Sequence, residues 1–173
     1  PYHNWSYVGY DAEEESLANH LVADWAYITD ALHQMQRPIH SLDPNLLAQA
    51  KVVDGQLQVG KVRYTVLVVP PITNLEREAF DLLREFINTG GRVISLGLLP
   101  IEDIQEGTSV VEGFSRLTDM DPVRMIRDYT GHELGVHLLR RDNFSFIRTG
   151  GTIARNQAAY MLARLLDETL PRR

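Results

Sequence analysis

The chain has 173 residues, 44% of them hydrophobic and 23% charged, a composition typical of one soluble globular domain with a substantial core. Its net charge of −6 argues against nucleic acid as a partner, because no excess of basic residues is present to neutralise phosphates. The longest apolar runs fall well short of the roughly 20 residues of a membrane span, and the absence of cysteine excludes disulfides, thiolate metal sites and a cysteine nucleophile.

Residues 1–11 form an aromatic arm without regular period. Trp5, Tyr7 and Tyr10 could stack on sugar rings, since flat apolar faces with a polar edge suit carbohydrates. Covering a neighbouring domain or the sheet is the commoner use of such residues, and we favour it. The start at Pro1, with no strand before the first helix, predicts a segment of a longer protein. Either a first strand lies upstream, or the aromatic arm takes its place.

Residues 12–36 are predicted to form a long helix that ends before a proline. Its apolar positions recur every three or four residues and are Leu17, Leu21, Trp25, Ile28, Leu32 and Met35. A short strand is expected over residues 39–43. Asp43 ends that strand, where it could act as a general base, but a helix N-cap is the commoner role. Pro44 at the first helical position then predicts a brief helix through Ala50.

Residues 64–100 have the pattern of a βαβ unit. The strand over 64–69 is apolar on both faces and rich in β-branched residues, as in a strand covered on both sides. An amphipathic helix follows and ends at Gly90-Gly91. A second apolar strand occupies residues 92–96, and a crossover of this length predicts that the two strands are parallel.

Thr73 and Asn74 follow the first strand of this unit, at the edge where open α/β sheets bind ligands. Their side chains could hydrogen-bond a sugar hydroxyl. Asn74 is also placed to cap the helix, with Glu76 and Glu78 in its first turn, where the helix dipole favours negative charge. We take capping as the preferred role of both residues.

The whole pattern predicts an α/β fold for residues 1–173, taken as one domain: a three-layer α/β/α sandwich with a mostly parallel, flavodoxin-like sheet and a small β-hairpin insertion. The other expected elements are a hairpin around an Asp-Gly turn at 51–59, an irregular acidic stretch at 101–120, a helix from Pro122 through Tyr129, strands at 135–139 and 144–147, and a last helix at 155–168.

Motifs that carry chemistry are absent from this sequence. The second strand of the βαβ unit leads into Gly97–Pro100, which contains no nucleophile, acid or base. Gly150-Gly151 could hold a phosphate on its amides, but a plain turn is the commoner role of such a pair. The six histidines show no metal-ligand spacing, and a solvated turn is the preferred interpretation of His132-Glu133. We therefore predict no catalytic residue, no cofactor and no metal site.

The order of elements from residue 38 to residue 100 resembles the class I glutamine-amidotransferase-like domain found inside large bacterial glycoside hydrolases. The similarity is greatest to enzymes related to α-L-rhamnosidases, and the trimerisation domain of family-42-type β-galactosidases is a more distant relative. The matching features are Asp43 with the leucines after it, the Asp54-Gly55 hairpin, the Tyr64 strand ending in Val69-Pro70, and the run from Phe86 through Gly97 to Pro100.

This resemblance implies a non-catalytic accessory domain that lies between a catalytic barrel and β-sandwich modules of the same polypeptide. Its implied partners are those domains, with carbohydrate or a second copy as further candidates. True amidotransferases use a nucleophilic cysteine with histidine and glutamate partners, so that activity does not carry over to a chain without cysteine. The glycosidase carboxylates of the family belong to the barrel. The compartment stays open between bacterial cytoplasm and secretion.

Two other functions remain compatible with the sequence. One is a stand-alone flavodoxin-like protein or enzyme that binds a small molecule or a sugar phosphate. The other is a module that only mediates dimerisation.

Overall fold

The structure is a computed structural model that describes most of the chain. The described residues are 12–36, 38–43, 46–47, 49–103, 110–130, 136–149 and 155–170. The aromatic arm, with Trp5, Tyr7 and Tyr10, lies outside them, as do Gly150-Gly151 and His132-Glu133.

The helices of the described part are α1 (Ala12–Gln34), α2 (Arg77–Asn88), α3 (Val110–Thr118), α4 (Pro122–Thr130) and α5 (Arg155–Thr169). Four of them confirm helices expected from the sequence. The prediction of an irregular stretch over residues 101–120 was wrong, because α3 lies within it. Gly113 lets this helix pack closely on α2, because a Cβ there would lie 2.1 Å from the Phe80 ring.

The strands are β1 (Lys51–Val53), β2 (Gln56–Val59), β3 (Val62–Tyr64), β4 (Val66–Val69), β5 (Asn74–Leu75), β6 (Arg92–Leu96), β7 (Glu102–Asp103), β8 (His137–Arg141) and β9 (Phe144–Arg148). The expected hairpin is β1–β2, and β3 extends it to a three-stranded antiparallel meander. Tyr64 belongs to this meander, so the predicted apolar strand begins two residues later than expected, at Val66, and its residues are half-buried because β4 lies at an edge of its sheet.

Among the described residues, the central sheet has four strands in the order β4-β6-β9-β8. β4 and β9 both run parallel to β6, with Val68 opposite Ile94 and Ile94 opposite Ser145. β8 is antiparallel to β9, and the two strands form a hairpin. The sequence-based prediction of an α/β fold is confirmed at this level: helices combined with mixed sheets.

Two local predictions were wrong. Ile39–Asp43 forms no strand. Its half-buried residues, Ile39 and Leu42, are three apart and would point to opposite faces of a strand. Asn74 does not cap α2, because it is buried in β5 and pairs there with Glu102 of β7. The N-cap residue is Glu76, which has extended backbone and makes no side-chain capping bond.

Alternation along the central strands divides the buried apolar residues into two clusters. Val93, Phe144 and Phe146 face one way and join a cluster that contains residues of α2, α3 and α4 and Leu57 of the meander. Ile94, Leu96 and Ile147 face the other way and pack with Ile28 of α1 and with α5. The α5 members of this second cluster are Ala158, Leu162, Leu165 and Leu166.

Gly97 ends β6 at a point where the backbone turns sharply. Its φ is +69°, and a Cβ at this position would lie 2.8 Å from Cε2 of Tyr129 and 2.9 Å from Cγ of Pro71. Its amide donates to the carbonyl of Ile147, 2.9 Å away. Glycine is required here both for the left-handed backbone and for the close approach of Tyr129.

We expect Gly97→Ala to lower the free energy of unfolding by about 2–4 kcal/mol, because it combines left-handed strain with overpacking. Gly60→Ala is the matched control, since Gly60 has φ +59° but a Cβ at that position would meet no atom within 4 Å. This control substitution should lower the free energy of unfolding by only about 1–2 kcal/mol. Urea denaturation measures both, and equal losses would show that Tyr129 does not restrict Gly97.

Candidate functional site

The carboxyl ends of the parallel strands β4, β6 and β9 meet at one edge of the central sheet. Pro71, Gly97 and Thr149 lie just beyond these ends. This is the edge at which open α/β sheets bind ligands, so it is the first place to look for a site. We refer to it below as the carboxyl edge.

A buried polar cluster lies at the carboxyl edge. Asp24 of α1 accepts a hydrogen bond from the Tyr129 hydroxyl of α4, 2.7 Å away, through Oδ2. Its other oxygen, Oδ1, accepts from Nε of Arg155, the first residue of α5. The two charged side chains are only 12% and 18% exposed. A buried carboxylate is stable only when its oxygens are paired, and here each oxygen has a donor.

The environment of Tyr129 keeps its phenol in the neutral form. Burial raises the pKa of Tyr129 far above its ordinary value of 10.0, and the charge of Asp24 and the hydrogen bond to it raise this pKa further. Arg155 opposes these effects but does not outweigh them. Tyr129 is therefore a hydrogen-bond donor to Asp24 and is not an acid or base near neutral pH.

A small cavity adjoins this cluster. Its polar lining consists of Asp24, Tyr27, Thr149 and Arg155, and its apolar lining is Ile28, Ala31, Pro71, Leu96, Gly97, Ala158, Ala159 and Leu162. The volume open to the centre of a water molecule is about 20 Å³, enough for roughly one water. In this conformation the cavity does not admit a sugar ring or a nucleotide.

A second ion pair lies beside the cluster on the same helix. Asp128, the neighbour of Tyr129 in α4, pairs with Arg148 at the end of β9 and more loosely with Arg124, 3.6 Å away. Asp128 and Arg148 are largely buried, whereas Arg124 is mostly exposed. This pair fixes α4 to the last residue of a central strand, so its role is positional.

The turn after β6 contains no reactive group. Leu98 and Leu99 are 0% exposed and belong to the first apolar cluster, and Gly97 and Pro100 are buried beside them. A nucleophile elbow requires an exposed side chain at this turn. In this structure the turn is instead part of the hydrophobic core.

The residues predicted as contacts from the sequence are differently placed. Asp43 is exposed and accepts a hydrogen bond from the amide of Leu46 at 2.9 Å, which confirms its predicted role as a helix cap. Thr73 and Asn74 are buried, and Nδ2 of Asn74 donates to Oγ1 of Thr73 at 3.3 Å. Both are less accessible to a ligand than expected. Binding by Trp5, Tyr7 and Tyr10 stays a prediction.

The sequence contained a signal for the cluster that the helical pattern concealed. Trp25 is one of the apolar positions of the predicted helix, but it is 51% exposed, and its neighbour Asp24 is buried instead. Asp24 lies three residues after Leu21 and four before Ile28, which is the spacing of the apolar stripe. A charged residue on such a stripe indicates a buried ion pair, although the sequence does not name the partner.

We expect Tyr129→Phe to lower the free energy of unfolding by about 1.5–3 kcal/mol near neutral pH, because Asp24 loses one of its two donors. The raised pKa predicts how this difference changes with pH. The phenol ionises near pH 10 in the unfolded chain but much later in the folded protein, so its stabilising effect is complete below pH 10 and is lost above it.

Urea denaturation of the wild type and of Tyr129→Phe at several values between pH 8 and pH 11 measures this effect. The advantage of the wild type should be nearly constant up to about pH 9 and should have fallen by about 1.4 kcal/mol at pH 11. The other tyrosines are present in both proteins, so their contributions to the pH dependence cancel in the difference. An advantage that persists unchanged at pH 11 would contradict the assigned environment of Tyr129.

Comparisons with known proteins add no relative. A scan against protein-family models and searches of curated proteins and of solved structures found no match.

In the part of the chain that the structure describes, no three histidine, aspartate or glutamate residues are grouped so that they could hold a metal ion. None of the helices described there is long and apolar enough to cross a membrane.

Proposed function

We propose that this chain is a non-catalytic accessory domain of a bacterial carbohydrate-active enzyme. It would adopt the amidotransferase-like, three-layer α/β/α sandwich with a flavodoxin-like sheet. Its task would be to pack against a catalytic barrel and β-sandwich domains of the same polypeptide and to help shape the rim of the active site. The resemblance over residues 38–100 is the source of this proposal, and the geometry supports it as follows.

The observation that carries the proposal is the filled turn after β6. In an amidotransferase this turn would present a cysteine to the substrate. Here Leu98 and Leu99 point into the first apolar cluster and are fully buried. Asp24 and Tyr129 nearby are engaged with each other. The carboxyl edge therefore offers no free nucleophile for amidotransferase chemistry, and a scaffold role suits this domain better.

The arrangement of the sheet is compatible with the proposed fold. Three central strands are parallel, and their two faces carry separate apolar clusters with helices in each. An antiparallel strand at one edge, here β8, is a common addition to an otherwise parallel sheet.

Large exposed apolar side chains support contact with other domains. Val22 and Trp25 on α1 and Tyr160 on α5 all project into solvent, and Tyr160 is 74% exposed. Contiguous exposed apolar patches mark protein contacts, and Val22 and Trp25 are three residues apart, which places them side by side on α1. They would be covered by a neighbouring domain or by a second copy of the chain.

The size of the cavity favours this role over the alternative of a stand-alone small-molecule or sugar-phosphate binding protein. A pocket for a drug-sized ligand has a volume of about 300–1,000 Å³. The cavity at the carboxyl edge takes roughly one water molecule. Its walls would have to separate before a sugar phosphate could enter.

We expect the chain alone to hydrolyse neither chromogenic rhamnosides and galactosides nor glutamine. The matched control is the longer polypeptide encoded by the same gene, which should contain an upstream barrel with two acidic residues and should cleave a glycoside. Release of the chromophore and of ammonia measures these activities. Turnover by the isolated chain, or a gene that encodes no glycosidase domain, would refute the proposal.

A further inference from the structure

The two ends of α5 are held to the molecule by different kinds of contact. In its first turn, Arg155 pairs with Asp24, and Asn156 accepts a hydrogen bond from the Tyr27 hydroxyl at 2.7 Å. Both partners belong to α1. Further along the helix, Leu162 and Leu165 are fully buried in the second apolar cluster.

The last turn of α5 has additional anchors on the central sheet. Nη1 of Arg92 in β6 donates to the hydroxyl of Thr169 at 2.9 Å, and Arg140 of β8 pairs with Glu168 at 2.8 Å. The C-terminal half of α5 is thus joined to two strands and to the core. The first turn is joined mainly to another helix, through polar groups.

The small cavity lies under this first turn. Ala158 and Ala159 of α5 line it together with Ala31 of α1 and Gly97, the residue that follows β6. These side chains bury little apolar area, so the first turn gains less from packing than the leucine-rich turns after it. The backbone hydrogen bonds of a helix break most readily at its ends, and most readily of all where few apolar contacts hold the segment in place.

We propose that the first turn of α5 is a latch on the carboxyl edge, kept closed by the contacts of Arg155 and Asn156 with α1. When these contacts exchange for water, the turn moves away from α1 and the cavity opens, while the C-terminal half of the helix stays in place. The partial exposure of Asp24 and Arg155 places water within reach of the ion pair. The latch gives the carboxyl edge a second, more open state, and this inference does not rest on the proposed function.

Hydrogen exchange measured by NMR on the whole chain tests the latch. The variant Asp24→Asn/Arg155→Met removes both charges with side chains of similar size, so no buried charge is left alone. The reporter amides are those of Ala159, Tyr160 and Met161, which are the first to be hydrogen-bonded within α5. The amides of Leu165 and Leu166 report the opening of the rest of the helix.

In this variant we expect exchange at Ala159, Tyr160 and Met161 to accelerate by about tenfold or more, the factor expected for one lost charge-assisted hydrogen bond. Exchange at Leu165 and Leu166 should change much less. Acceleration by the same factor at all five positions would mean that the ion pair contributes only to global stability and would overturn the proposal. No acceleration at the first three would overturn it as well.

Two further variants control the experiment. Arg164→Met/Glu168→Gln removes two exposed ion pairs from the other end of the same helix, those of Glu168 with Arg164 at 3.3 Å and with Arg140 at 2.8 Å, and should leave the first-turn amides unchanged. Asn156→Ala removes only the exposed bond to Tyr27, which the fold should tolerate. It should accelerate the same three amides to a smaller extent, and unchanged exchange there would exclude Asn156 from the latch.

Discussion

The carboxylate of Asp24 is the point at which three helices of this molecule meet. It accepts hydrogen bonds from Tyr129 of α4 and from Arg155 of α5, and it stands on the buried face of α1. A carboxylate in such a place is costly unless both oxygens are paired, so these two hydrogen bonds stabilise the packing of α4 and of the first turn of α5 against α1. Tyr129 in turn lies against Gly97, and this contact connects the cluster to the end of β6.

The same constraint explains why the carboxyl edge is closed. In open α/β sheets the strand ends usually leave a crevice for a ligand. In this molecule the crevice is occupied by the ring of Tyr129, by the ion pair of Asp24 with Arg155, and by the buried residues Leu98 and Leu99. The groups that an enzyme would direct at a substrate are here directed at one another. A closed edge of this kind is compatible with the accessory role that we propose.

The contacts that close the carboxyl edge differ in strength between the apolar clusters and the polar contacts of α5 with α1. The apolar clusters on the two faces of the sheet are continuous, and removal of any large side chain from them would leave a cavity. The contacts between α1 and the first turn of α5 are polar and close to water. Movement within the folded state is therefore concentrated at that turn, and the sheet and its leucine-rich helices form the rigid frame around it.

The sequence by itself determined the parallel pair β4–β6, the helix between them and most of the other helices. These features depend on apolar periodicity and on glycine and proline, which act locally. It did not determine the short pairing of Asn74 with Glu102, the helix α3 around Gly113, or the loss of the expected strand at residues 39–43. Each of these depends on contacts with residues that are distant in the sequence: β7 for Asn74, the Phe80 ring for α3, and the buried neighbours of residues 39–43.

The site shows the same division between local and distant information. Asp24 is visible in the sequence as a charge on the apolar stripe of α1, whereas its partners are more than one hundred residues away. Only the tertiary structure decided that these three side chains share one buried position, since a carboxylate accepts any donor that the fold brings within reach.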